Sequence, residues 1–130
     1  IGSNNTGQGY NALNSNTTGS QNTATGVGSL SANTIGSGNT GQGYNVLTNN
    51  TNGSNNTAFG QAALASNTIG SNNTALGVGA GSENSQGTGN IFLGYMAGSQ
   101  ETGSNKLYID NSSTNAPLIY GDFDADKVTL

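Results

Sequence analysis

The chain contains no cysteine and no histidine. Those two absences remove thiol nucleophiles, imidazole bases, disulfides and the usual zinc ligands. Only two residues are basic, Lys106 and Lys127, against six carboxylates, and the net charge of −4 repels nucleic-acid phosphate. No apolar run is long enough to span a bilayer, and neither a signal peptide nor an initiator methionine opens the sequence. Charged residues make up 6% of the chain and proline occurs once. That argues against a disordered tract, which commonly carries charge or proline and lacks positional order.

What is present is small and polar. Of 130 residues, 22 are Gly, 22 Asn, 16 Thr and 15 Ser, more than half the chain, and hydrophobics reach only 31%. Their order is strict. Glycine stands at Gly2, Gly19, Gly36, Gly53, Gly70 and Gly87, 17 residues apart each time, and Gly103 follows after 16. A period this short leaves room for one coil of backbone per unit, as in β-solenoids and β-rolls, and none for a helical pair. The first unit resembles the third more than the second, a weaker 34-residue period of the kind tandem duplication leaves. The expected fold is all-β: a parallel β-roll or solenoid of 17-residue repeats over 1–104, followed by capping or connecting β-hairpins over 105–130.

Within each unit the fifth position reads Thr6, Thr23, Thr40, Thr57, Thr74, Ile91, Leu107 and the seventh Gln8, Thr25, Gln42, Phe59, Leu76, Leu93, Ile109. Two such positions lie on one face of a strand, and that face is expected to point inward. The sixth position is small on the opposite face until Phe92 and Tyr108. Gly9, Gly26, Gly43, Gly60, Gly77 and Gly94 read as the following turn. A second short strand is expected to carry Leu13, Leu30, Leu47 and Leu64. Asn5, Asn22, Asn39, Asn56, Asn73 and Asn90 form one column, in which each amide can donate to the carbonyl of the next coil. Coils stacked about 4.8 Å apart make a rod on the order of 30 Å long.

Each unit offers about two to four sizeable apolar side chains, a thin core for one chain. Three chains around an axis would bury a further face, so a homotrimer is expected. After Asn105 the sequence predicts a strand over Lys106–Asp110, a polar turn to Pro117, a strand over Leu118–Phe123, and a turn into Val128–Leu130. Ile1 holds the phase of Ile35 and Ile69, and the last residues read as a strand, so the sequence reads as a piece of a longer or processed protein.

Candidate chemistry is sparse. Asp122, Asp124 and Asp126 are spaced like the first ligands of a calcium loop. Lys127 stands where that loop has Gly and no twelfth-position Glu follows, so a solvated turn is the favoured reading, with no metal, no cofactor and no catalytic residue assigned. Glu83 and Glu101 have no acid–base partner and read as surface loops. Gly77–Gly81 mimics a dinucleotide fingerprint without the helix it requires. The sequons at Asn4, Asn16, Asn49, Asn55, Asn72 and Asn111 follow from an Asn/Thr-rich composition. Tyr10, Tyr44 and Tyr95 share the position after the turn glycine; they are candidate sugar-stacking residues, with packing against a neighbouring chain as the competing role.

The segments Asn72–Gly77 (NNTALG) and Asn55–Gly60 (NNTAFG) resemble the N-S-V-A-I-G repeats in the heads of trimeric autotransporter adhesins. The run GSNNTALG, followed by NIFLGYMAG and NKLYIDNSSTNAPLIYGDF, is similar to repeat regions of bacterial and phage tail-fibre-like proteins, in which an endosialidase-type intramolecular chaperone often follows. The resemblance covers Gly2 to about Val128. It implies a left-handed parallel β-roll, trimeric and extracellular, used for attachment to a host or cell-surface glycan or protein receptor. This unit is longer than the adhesin repeat, Thr replaces its Val in units one to five, and Gln replaces its Ile in two of them.

The expected function is a structural and adhesive module of an extracellular fibre. Ice binding is an alternative, since stacked Thr is what it needs; against it, Thr6 to Thr74 read as inward, and Thr17, Thr34, Thr51 and Thr68 come singly beside Asn. A self-assembling filament subunit is a further alternative, because neither end shows a polar cap. A fibre-borne glycan hydrolase would need carboxylates brought together by trimerisation.

Overall fold

In the computed structural model, residues 2–130 are described, and among them there is no helix. Nine strands form one sheet in chain order: β1 (Thr6–Gln8), β2 (Thr23–Thr25), β3 (Thr40–Gln42), β4 (Thr57–Phe59), β5 (Thr74–Leu76), β6 (Ile91–Leu93), β7 (Lys106–Ile109), β8 (Ile119–Asp122) and β9 (Lys127–Thr129). Neighbours from β1 to β7 are parallel and in strict register, Thr6 opposite Thr23 and Thr57 opposite Thr74. Each unit is thus one coil of a β-solenoid, as the glycine period predicts.

The phase of the strands is the reverse of the expectation. The sixth position is the buried one: Ala24, Ala58, Ala75 and Phe92 are fully enclosed, while Phe59 and Leu76 at the seventh position are exposed. The opposite wall of the coil explains this. Leu30, Leu47 and Leu64, with Ser29, Val46 and Ala63 beside them, fill the interior at 0% exposure and leave room for only Ala or Gly from the strand. A Cβ added to Gly41 would already sit 3.0 Å from Ser29 Oγ and 3.1 Å from Val46. Large side chains at the seventh position have no space inside, so they face out.

The expected second strand is also absent. Leu13, Leu30, Leu47 and Leu64 lie in successive tight turns, closed by bonds such as Ala63 N–H to Gly60 O (3.3 Å) and Asn50 N–H to Leu47 O (3.1 Å). Their φ values are 54°, 51°, 49° and 50°, in the left-handed region that costs a Cβ-bearing residue on the order of 1 kcal/mol. Full burial of a Leu contributes about 1.5–3 kcal/mol, which offsets that strain. Hydrophobicity, not backbone preference, places these leucines.

The core holds its volume constant along the rod. Where the strand position enlarges to Phe92 and Tyr108, the leucine position shrinks to Gly81 and Gly98, and a side chain on either glycine would collide with the Phe92 ring. Phe92, Tyr108 and Tyr120 then stack, with ring centroids 6.0 and 5.3 Å apart, into the final part of the core. The predicted C-terminal strands form as expected. β8 and β9 pair antiparallel after β7 and continue the same sheet, with Lys106 opposite Asp122.

Turn polarity is satisfied by two asparagine columns. At the fourth position each side-chain carbonyl accepts the backbone N–H of the next asparagine (Asn39 N–H to Asn22 Oδ1, 2.9 Å), and each amide donates to the leading glycine of the next unit (Asn56 Nδ2 to Gly70 O, 2.8 Å). At the fifteenth position the amides bond one another directly: Asn33 to Asn16 (2.7 Å), Asn50 to Asn33 (2.8 Å) and Asn67 to Asn50 (2.7 Å). The column stops there. Asn84 turns its amide to Glu101 O and Gly103 O instead, leaving Asn67 Oδ1 and Asn84 Oδ1 buried without partners among the described residues.

Replacing Asn56 by Ala strips the acceptor from Asn73 N–H and leaves Gly70 O with Asn67 Nδ2 as its remaining donor, and we expect about 1–3 kcal/mol lost in urea denaturation. Phe92→Ala is expected to cost about 3–5 kcal/mol, and Gly81→Leu to be strongly destabilising alone. Their combination should recover at least about 1 kcal/mol relative to the sum, because the new leucine occupies the space the ring vacates.

Candidate functional site

The residues free to meet a partner are those the narrow interior turns outward. On the sheet face the fifth column is Thr6, Thr23, Thr40, Thr57 and Thr74, whose hydroxyls make no hydrogen bond among the described residues. The sixteenth-position threonines differ: Thr17, Thr34, Thr51 and Thr68 each donate to a carbonyl of the next coil at 2.9–3.1 Å. Their hydroxyls serve the stack.

The seventh column changes character along the rod, from Gln8, Thr25 and Gln42 to Phe59, Leu76 and Leu93. Two residues further along each coil, the ninth column carries Tyr10, Val27, Tyr44, Gln61, Val78 and Tyr95. Tyr10, Tyr44 and Tyr95 are 75%, 55% and 56% exposed, so the three candidate tyrosines lie in one outward column parallel to the rod axis. From Phe59 onward the two columns make a mainly apolar stripe, with Phe59, Leu76, Val78 and Tyr95 exposed. No charge lies in it, since the one charged residue from Gln8 to Tyr95 is Glu83, at the fourteenth position of its coil.

The other candidates are dispersed or already engaged. Asp122 Oδ1 pairs with Lys106 Nζ at 3.0 Å and accepts Asp124 N–H, and Asp124 Oδ1 accepts from Asn105 Nδ2 at 2.8 Å. The Asp122, Asp124 and Asp126 carboxylates are therefore not gathered into a ligand set, and the described residues hold no cluster of three metal-ligating side chains. Glu83 is exposed. Glu101 is more than a surface loop: Oε1 accepts Gly103 N–H and Oε2 accepts the Tyr108 hydroxyl at 2.8 Å. It stands in the fifteenth position where earlier units have Asn, and closes the turn of the 16-residue unit. Burial first, and then the Glu101 carboxylate, push the Tyr108 phenol well above its ordinary value.

One feature escaped sequence reading. The 111–118 loop returns over the sheet to form an open cleft of about 470 Å³ between Asn115, Pro117, Tyr108, Tyr120 and Leu130. The tyrosine pair and the single proline were its signals, but only the β7–β8 pairing brings them together. Comparison with protein-family models, with curated proteins and with solved structures returns no match.

The Lys106–Asp122 pair contributes to the pH response of the hairpin. The hydrogen bond from Lys106 holds the Asp122 carboxyl below its ordinary value, and the same bond raises the Lys106 ammonium. The carboxylate contribution is complete above the unfolded value of about 3.9 and disappears as pH falls through the lower folded one; the ammonium contribution is complete below about 10.4 and disappears as pH rises through the higher folded one. Hairpin amide exchange, corrected for intrinsic rates, is therefore expected to be flat from about pH 5 to 9 and to accelerate in acid. Asp122→Asn should weaken the acid limb, leaving the part contributed by Asp110, whose carboxyl the Ser112 hydroxyl holds below its ordinary value.

Proposed function

We propose that this chain is a structural and adhesive module of an extracellular fibre, acting as a stiff homotrimeric head or stalk that presents a receptor-binding surface. The observation that carries the reading is the outward apolar stripe of Phe59, Leu76, Leu93, Val78 and Tyr95 on a rigid parallel sheet. Contiguous apolar patches on soluble chains mark interaction sites, and a rod with one such long face closes most simply by cyclic association of identical copies. Around a three-fold axis, Gln8, Thr25 and Gln42 would meet their own copies and bond across it, and the leucines would pack below them. Tyr95 and Tyr44 then border the interface, and Tyr10, the most exposed, is the first choice for stacking on a sugar of a glycan receptor. A protein receptor fits the same surface.

The resemblance to adhesin heads and tail fibres agrees with this reading, and so does a chain whose turns are satisfied by amides instead of charges or metals. A rod with no charged residue before Glu83 keeps its stacking forces over a wide range of salt and pH.

A second reading draws on one observation. The fifth-column threonines face out with unbonded hydroxyls on a flat sheet, which removes the objection that they point inward and favours ice binding. The flanking column weakens it, because only β2 offers a paired Thr-x-Thr, at Thr23 and Thr25.

Light scattering on the folded protein is expected to give about three times the 12.9 kDa chain mass. Leu76→Asp should shift that mass to the single chain while retaining the β-sheet circular dichroism signal. A monomeric wild type would overturn the trimer, and thermal hysteresis retained in a Thr23→Asn, Thr25→Asn variant would count against the ice-binding surface.

A further inference from the structure

The residue after the turn glycine stands outside the core, and in the first and third units it is a tyrosine. Tyr10 and Tyr44 occupy it there, with Val27 in the coil between them. Gly28 N–H bonds Tyr10 O and Asn45 N–H bonds Val27 O, both at 2.9 Å, which holds the two tyrosines in one column. They stand two coils, or about 9.6 Å, apart along the rod. Tyr44 has a coil on either side and is still 55% exposed, so its outward pose comes from the turn itself.

The next residue supplies polarity. In the third unit it is Asn45, at φ 51°, and a Cβ on Gly28 would collide with its amide oxygen. The Asn45 side chain therefore leans over the middle coil, between the two tyrosine levels. Its amide makes no hydrogen bond among the described residues, and neither do the Asn11 amide or the Tyr10 and Tyr44 hydroxyls. Asn39 and Asn50, by contrast, are engaged with their neighbouring coils. The same corner is apolar further along: Tyr95 is followed by Met96, whose sulfur lies over Gly79 as the Asn45 oxygen lies over Gly28. Tyr95 also stands three coils from Tyr44, out of the two-coil phase, and Val78 fills the place where a third tyrosine would continue it.

We propose that Tyr10, Asn11, Tyr44 and Asn45 form a binding track for a neutral, extended β-1,4-linked glycan chain lying parallel to the rod axis. The assignment rests on the adhesive reading above and names the class of receptor it meets. A pyranose has an apolar ring face and hydroxyls at its edge, which match an exposed aromatic face beside unbonded amides. An extended β-1,4 chain turns the same ring face to one side at every second sugar, and each sugar advances about as far as one coil. Tyr10 and Tyr44 thus meet alternate sugars, and the Asn45 amide meets the hydroxyls of the sugar between them. A peptide strand repeats its facing every two residues, about 6.8 Å, and falls out of step with the tyrosines. No basic residue precedes Lys106, so acidic sugars and nucleic acid find no cation on this face.

Isothermal titration of the full chain with β-1,4-linked hexamers of glucose and of N-acetylglucosamine tests the track. Maltohexaose, which is α-linked and coils, and hexamannuronate, which is β-1,4-linked but charged, serve as controls. Binding of a neutral β-1,4 hexamer at least about tenfold more tightly than either control is the expected result. Tyr44→Ala should weaken it by at least about tenfold and Asn45→Asp severalfold, whereas Tyr95→Ala should leave it unchanged, with circular dichroism confirming the fold of each variant. No binding of the neutral β-1,4 hexamers, equal binding of either control, or equal losses in Tyr44→Ala and Tyr95→Ala would overturn the assignment. A panel of immobilised branched glycans, acidic glycans and proteins separates the two readings: capture there without hexamer binding refutes the track alone, and no capture of any kind refutes the adhesive module with it.

Discussion

The interior of a 17-residue coil is about one leucine deep, and that width governs the rest of the molecule. With Leu30, Leu47 and Leu64 projecting from one wall, the facing strand can bring only Ala24, Gly41, Ala58 or Ala75 into contact. When Phe92 and Tyr108 enlarge that strand position, the leucine disappears in favour of Gly81 and Gly98. Close packing forbids both walls from being large at once and penalises both being small. Where the leucine is kept, larger apolar residues of the strand such as Phe59 and Leu76 are pushed outward, which is why a chain with so few hydrophobic residues still displays an apolar stripe.

A core this thin cannot supply all the order in the stack, and directional polar bonds supply the remainder. Asparagine is suited to the task because one side chain both donates and accepts without a charge to desolvate. The fourth-position column joins side chain to backbone, and the fifteenth joins side chain to side chain, so each coil is fixed to the next at two corners. The hand-over to the hairpin is where this scheme strains. Asn84 bonds forward to the shortened unit, Asn67 loses its partner, and Glu101 takes over with a carboxylate that holds Gly103 and Tyr108.

Periodicity was legible because stacking demands like residues in columns, and the turn glycines and Asn5 through Asn90 announce those columns directly. The phase of the strand was not. Three residues define two faces but do not say which faces in, and the small sixth position looked like a surface when it was the imprint of a narrow interior. Leu13 to Leu64 misled in a different way, since nothing in leucine's preferences points to positive φ; only burial against the neighbouring coils makes that conformation tolerable. Of the candidate residues, the exposed tyrosine column could be read from its spacing, as could the turn character of Asp122 to Asp126. The role of Glu101 and the cleft beside Tyr120 depend on a hairpin folding back, which no repeat pattern encodes.

Strict register also makes length a countable property. Because each bond between coils recurs every 17 residues, as in the serine column from Ser3 to Ser71, a whole unit can be inserted or deleted by recombination between neighbouring copies without disturbing any column. A gain or loss of one residue, by contrast, has to be absorbed within its own coil, as the Glu101 turn does for the 16-residue unit before β7. Such a gene would change its product in steps of about 4.8 Å, one coil at a time, and the likeness of the first unit to the third is the pattern that a two-coil duplication leaves. The reach of the rod can therefore evolve as a ruler graduated in whole coils.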